Sequence, residues 1–242
     1  MRKTAIIGGS GLDQLSLMDV QHRSVVRTPF GDPSGILIEG KIYDKSFLFL
    51  PRHGTGHTIP PHKINYRANI WALKHAGVKQ IIAFAAVGSI RSDFPPGSIV
   101  IPDQVIDYTW GREHTFFDGL VDNLHHIDFT TPYSASLRKR LSRAAIKSKT
   151  EVFNGSVYGV TQGPRLETAA EIDRLENDGI DIVGMTGMPE AALARELEID
   201  YACIAIVVNA AAGRSGSPIT MELIGKYLGT GITRAVGILQ HF

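Results

Sequence analysis

The stretch Ile182–Glu190, IVGMTGMPE, followed by Tyr201–Asn209, YACIAIVVN, decides how the chain is read. An apolar run feeds a Met-Thr-Gly turn, Pro189-Glu190 opens a helix, and a second apolar run stops on a polar amide. Short apolar runs bounded by turn residues read as buried strands, and Pro suits the first turn of a helix. Strands that end on a polar residue are how α/β proteins present chemistry at a sheet edge. The stretch therefore predicts strand, helix, strand, with a site at the strand ends.

Outward from this stretch the same alternation continues. Thr4–Ile7, Ile36–Glu39, Ser46–Leu50, Lys79–Val87, Ser98–Ile106, Val157–Thr161 and Ile180–Val183 read as further strands. Asn65–His75 reads as a helix closing at Gly77, and Ser134–Lys147, Thr168–Asp178 and Thr220–His241 as three more. Residues 51–61 form a Pro/Gly/His loop, and residues 107–133 a long loop rich in His, Asp and aromatics. No composition shift or internal repeat divides residues 1–242, so one α/β domain is expected, with a mixed, partly barrel-like central sheet flanked by helices.

Bulk properties narrow the function. A chain of 242 residues with 43% apolar and 20% charged residues is ordinary for a globular protein, and a net charge of +1 points to neither nucleic acid nor a membrane surface. The glycine-rich start does not read as a signal peptide, and no apolar run has the length of a membrane span. Cys203 is the sole cysteine, which fits a reducing cytoplasm and a core position.

Several motifs fail. Gly9-Ser10-Gly11 lacks the third glycine of a dinucleotide fingerprint, since Gln14 stands there; Leu12 likewise replaces the last glycine of a nucleophile elbow. Gly213-Arg214-Ser215 is not a phosphate-binding Walker loop. His53 and His57 have helical metal-ligand spacing, but Gly54-Thr55-Gly56 between them opposes a helix, so no metal is expected.

Four separated pieces share one chemistry. Gly8–Gly11 offers backbone N–H groups and the Ser10 hydroxyl for an anion, or is an ordinary turn. Arg52-His53 follows a strand end, where a guanidinium serves either a bidentate phosphate contact or a loop salt bridge. Ala85-Ala86 lies on a small-residue strand end that lets a ligand approach the backbone. Met185-Thr186 adds another hydroxyl and turn. All four lie at expected strand ends.

GGSGL (8–12), PRH (51–53), HKINYRANIWALK (62–74), VTQGPRLET (160–168) and VGMTGMPEAALARE (183–196) resemble the trimeric purine nucleoside phosphorylases, and more closely their methylthioadenosine phosphorylase branch. The resemblance runs from residue 4 to about residue 225. It implies phosphate binding by Ser10, Arg52, His53, Ala85, Ala86 and Thr186, with Met185 beside the ribose. It puts Asn209, Ala210 and Ala211 at the base and carries His126 into a neighbouring subunit's site, within a homotrimer or dimer of trimers. It implies no cofactor, inorganic phosphate being a co-substrate. The chain departs from the family at Ala85, where Thr is common, at Ser10, another frequent Thr, and in a short C-terminal segment.

Side-chain chemistry then separates the substrates. A 6-oxopurine presents N1–H as a donor and O6 as an acceptor, and a 6-aminopurine reverses both. A carboxylate accepts from N1–H, and an amide donates to N7 or O6. Glu167 and Asn209 form such a 6-oxopurine pair, where the methylthioadenosine enzymes typically carry Ser and Asp. Alternatively Glu167 serves a helix dipole and Asn209 a turn. Met221, with Ile224 one turn on, stands where ordinary purine nucleoside phosphorylases place a His for the 5′-hydroxyl. A thioether there accommodates a methylthio group, or it simply buries the terminal helix. The expected reaction is phosphorolysis of S-methyl-5′-thioinosine to hypoxanthine and 5-methylthioribose 1-phosphate. Methylthioadenosine, or inosine and guanosine, are the alternative substrates.

Overall fold

The computed structural model describes residues 2–12, 18–119 and 125–242; Gln14 and residues 120–124 of the expected polar loop lie outside them. Within these residues eleven strands form one mixed sheet, most of them the apolar runs. β1 (Thr4–Gly8), β2 (Met18–Ser24), β3 (Leu37–Ile42) and β4 (Lys45–Pro51) precede α1 (Tyr66–His75) and β5 (Gln80–Ser89). β6 (Ile99–Ile101), β7 (Gln104–Asp107), α2 (Ala135–Lys147), β8 (Phe153–Asn154) and β9 (Val157–Val160) follow. α3 (Ala169–Asn177), β10 (Ile182–Gly184), α4 (Glu190–Glu196), β11 (Asp200–Ala210) and α5 (Met221–Leu239) complete the order.

The helices start where side chains can satisfy their first N–H groups. Asn65 accepts from Ala68 N, Ser134 from Leu137 N and Thr220 from Leu223 N. Thr168 and Glu171 close a reciprocal capping box on α3. Gly77, at φ 82°, ends α1 in the left-handed conformation that the sequence predicts there.

β5 organises the sheet. Its residues alternate between two cores: Ile81, Ala83, Ala85 and Val87 pack with α1 and α4, and Ile82 and Phe84 pack with α2 and α5. β11 repeats the division, Tyr201, Cys203, Ala205 and Val207 on one side and Ala202, Ile204, Ile206 and Val208 on the other. Burial on both faces is why residues 81–87 and 201–208 are apolar at every position rather than at alternate ones. Cys203 is fully inside, and burial pushes its thiol up to about 12.

One edge of β5 changes partner midway. Thr4–Ile7 of β1 runs parallel to Gln80–Ala83, whereas β10 runs antiparallel to Gly88-Ser89. Phe84–Val87 therefore has no strand on that edge, and the sheet forks there. On the opposite edge β11 stays paired throughout, with a bulge between Val207 and Asn209. This branched sheet is the form taken by the expected mixed, barrel-like one.

Three details differ from the sequence reading, one being the two-residue β8, which was not expected as a strand. The single strand expected over 98–106 is two, β6 and β7, broken at Pro102-Asp103 because proline donates no ladder hydrogen bond. β2 was not legible as a strand: it pairs only with β3, and Asp19–Arg23 is exposed, so no apolar alternation marks it.

Candidate active site

The fork in the sheet opens a cavity of about 550 Å³. Its wall gathers Ser10, Arg52, His53, Ala85, Ala86 and Thr186, together with Met185, Glu167, Asn209, Ala211 and Ile224. The four strand-end pieces singled out in the sequence thus meet in space. Their meeting follows from register: Gly8 lies opposite Pro51 in parallel pairing, so the turns that leave both strands emerge side by side. Leu12 N donates to Gly9 O at 3.1 Å and closes the glycine turn.

Arg52 is 1% exposed, and of the two roles considered for it the structure shows the salt bridge. Its Nε and Nη2 donate to Glu190 Oε2 and Oε1 at 2.6 and 2.7 Å, and Nη1 donates to Phe84 O at 2.9 Å. Phe84 O is reachable because the edge of β5 is unpaired there. The fork-shaped edge expected to grip phosphate is therefore occupied by Glu190, and two of the five guanidinium N–H groups remain. Tyr201 also donates to Glu190 Oε1, at 2.8 Å. Burial opposes the Arg52 charge, but the Glu190 carboxylate outweighs it and raises the arginine's pKa.

His53 is held neutral. Burial, then the neighbouring Arg52, lower its pKa to about 4. Its Nδ1 lies 2.8 Å from Ile59 O, and a carbonyl only accepts, so Nδ1 carries the proton and Nε2 is the acceptor. Such a ring suits an anion that still bears a hydroxyl, as monohydrogen phosphate does. His57, excluded above as a metal ligand, also lines the cavity; its ring stands 4.4 Å from that of His53, and its Nε2 3.5 Å from Ser10 Oγ. Among the described residues no cluster of three or more His, Cys, Asp or Glu is placed to hold a metal ion.

At the carboxylate–amide pair, Thr161 Oγ1 donates to Glu167 Oε1 at 2.6 Å. The N-terminus of α3 is already served by Thr168 and Glu171, so capping does not explain Glu167. Asn209 belongs to β11, just past its bulge, and is no turn residue. A bulge re-aims the side chains that follow it. Asn209 Nδ2 donates to Ala210 O at 2.7 Å, which fixes the amide plane and leaves its second N–H for a ligand.

Three expected residues fall elsewhere. Met221 is 79% exposed and does not line the cavity; Ile219 and Ile224 do. Met221 opens α5, and helical side chains lean toward the N-terminus, so it projects past the part of the helix that packs on the sheet. Ala210 contributes its carbonyl to Asn209 rather than a wall to the cavity, and His126 is exposed, away from its own chain's cavity. Leu166, Pro164 and Ile219 line the cavity without having been singled out, although Leu166 sits beside Glu167 in one short motif.

A forked mixed sheet whose cavity is lined by Ser10, Arg52, His53 and Thr186 together with a carboxylate–amide pair defines a class, and the family comparison agrees: residues 3–242 match the phosphorylase superfamily, and the chain belongs to it. Over 237 residues it is 51% identical to a probable S-methyl-5′-thioinosine phosphorylase of Pseudomonas syringae pv. tomato, covering 98% of this chain and 96% of the relative. It is 48% identical to the 6-oxopurine nucleoside phosphorylase of Pyrococcus furiosus, covering 93% and 88% of the two chains. The solved methylthioadenosine phosphorylase of Schistosoma mansoni in complex with adenine superposes with a TM-score of 0.93 at 35% identity, over 100% of this chain and 90% of that one.

Proposed function

We propose that the protein catalyses phosphate-dependent cleavage of S-methyl-5′-thioinosine, releasing hypoxanthine and 5-methylthioribose 1-phosphate. A phosphate oxygen forms a bond to C1′ as the C1′–N9 bond breaks, the bonding electrons leave with the purine, and the purine gains the proton that monohydrogen phosphate gives up. Such a reaction accelerates when donors and acceptors match the charge that develops on the sugar and base. Ser10, Thr186, His53 and the two remaining N–H groups of Arg52 hold the phosphate, with the backbone at Ala85 and Ala86 behind it. Glu167 accepts from N1–H, and the Asn209 amide donates to N7 or O6 of the departing base. Ile219 and Ile224 receive the methylthio group. The scheme uses no metal or cofactor.

The observation that carries the reading is that Glu167 and Asn209 line the same cavity as the anion-binding set. The 6-oxopurine and methylthioinosine activities in the names of the relatives at 48–51% identity support it. The working form is a cytoplasmic homotrimer, or a dimer of trimers, in which His126 completes a neighbour's site.

The test is kcat/KM for methylthioinosine, methylthioadenosine and inosine, with and without phosphate. Methylthioinosine should be preferred over methylthioadenosine by roughly a hundredfold or more, since a mispaired buried polar edge is rejected strongly. Equal use of methylthioadenosine would remove the roles given to Glu167 and Asn209. Turnover in phosphate-free buffer would instead mark a hydrolase.

A further inference from the structure

Arg112 is a buried charged residue to which the scheme above gives no role. It stands in the loop that follows β7, 7% exposed, and its side chain reaches between the two turns that line the cavity. Nη1 donates to Met185 O at 2.9 Å and to Met188 O at 2.6 Å, on either side of Thr186. Nη2 donates to Thr161 O at 3.2 Å and Gln162 O at 2.9 Å, and Nε to Gln162 Oε1 at 3.2 Å. Nη1 also reaches Tyr66 Oη at 3.2 Å, with the guanidinium 5.4 Å from the ring centre. Four backbone carbonyls from two separate turns thus converge on one planar cation.

A buried guanidinium is usually placed against a carboxylate, as Arg52 is against Glu190. At Arg112 the compensating groups are carbonyl dipoles, so its position is fixed by the two turns and theirs by it. The connection runs on to the ligand side. Thr161, whose carbonyl Arg112 holds, donates its hydroxyl to Glu167 and its N–H to Gly184 O at 2.8 Å. The Met185–Met188 turn carries Thr186 and, two residues beyond Met188, Glu190, which grips Arg52.

We propose that Arg112 is a positioning residue that couples the base end of the cavity to its phosphate end. It acts through Thr161 and Glu167 on one side and through Met185–Met188 on the other. The inference rests on the phosphorolysis reading for the identity of the two ligands. Its consequence is that binding at either end orders both turns, so that phosphate and nucleoside favour each other's binding.

In the wild-type protein, hydrogen exchange with phosphate alone should slow over 160–167 as well as over 184–188. Protection confined to 184–188 overturns the coupling. No protection anywhere, with no binding of phosphate, overturns the phosphorolysis reading instead. Arg112→Lys keeps the charge but cannot span both turns. It should raise KM for phosphate and for nucleoside together and lower kcat/KM about 10- to 100-fold, as expected when reacting groups lose alignment. Both KM values within twofold of wild type would overturn the proposal, even if the melting temperature falls.

Discussion

At His53 and Asn209, single side chains set measurable behaviour. An unfolded imidazole titrates near 6.5, whereas His53 in the fold titrates near 4, chiefly because it is buried and then because Arg52 adjoins it. Between those values the unfolded chain binds the extra proton, so stability is retained above pH 6.5 and lost as the pH falls toward 4. The loss is at most about 3 kcal/mol. His53→Gln should flatten this segment of the curve of melting temperature against pH, and an unchanged slope would show that His53 is not the group responsible. Asn209→Asp replaces a donor with an acceptor at the proposed base site. The ratio of 6-amino to 6-oxo turnover should rise roughly 10- to 100-fold, the worth of one or two buried hydrogen bonds. A fixed ratio would take Asn209 out of base recognition.

At the scale of elements, the Gly184–Gly187 turn is shaped by the tyrosine beneath it. A Cβ on Gly184 would lie 2.6 Å from Tyr158 Oη, and one on Gly187 would lie 2.8 Å from Tyr158 Cε1. Tyr158 is fully buried in β9, so the turn rather than the ring must give way. Gly184→Ala should cost about 1–3 kcal/mol, the usual range for overpacking. Since Met185 and Thr186 ride on this turn, kcat/KM should fall at least tenfold, mainly through KM for phosphate. Full activity in a destabilised variant would mean that the turn does not set the phosphate site. The glycines themselves are plain in the sequence. Their reason is not, because Tyr158 is brought under the turn only by the parallel pairing of β9 with β10.

For the whole molecule, the proposed trimer makes a prediction about sites shared between chains. His126 is exposed on its own chain, as a residue serving a neighbour must be before assembly. His126→Ala and Thr186→Ala chains, each impaired alone, should recover part of the activity when co-assembled, because some sites then draw Thr186 from one chain and His126 from the other. Light scattering should give the mass of three or six chains. Absence of recovery in assemblies shown to contain both chains would keep His126 out of the site.

The sequence by itself determined the α/β alternation, the strand ends that bear chemistry and the residue types suited to a 6-oxopurine and phosphate. Those features are local: apolar runs, glycine turns and capping residues act over a few neighbours. Only the tertiary structure decided that β5 changes partner after Ala83 and frees Phe84 O, or that Glu190 takes the edge of Arg52 expected to meet phosphate. It also turned Met221 outward while bringing Ile219 and Ile224 to the cavity, and it seated Arg112 between two turns. A lone arginine in a polar loop gives no local signal of such a place. What fixes it is the convergence of carbonyls that lie 49 to 76 residues away along the chain.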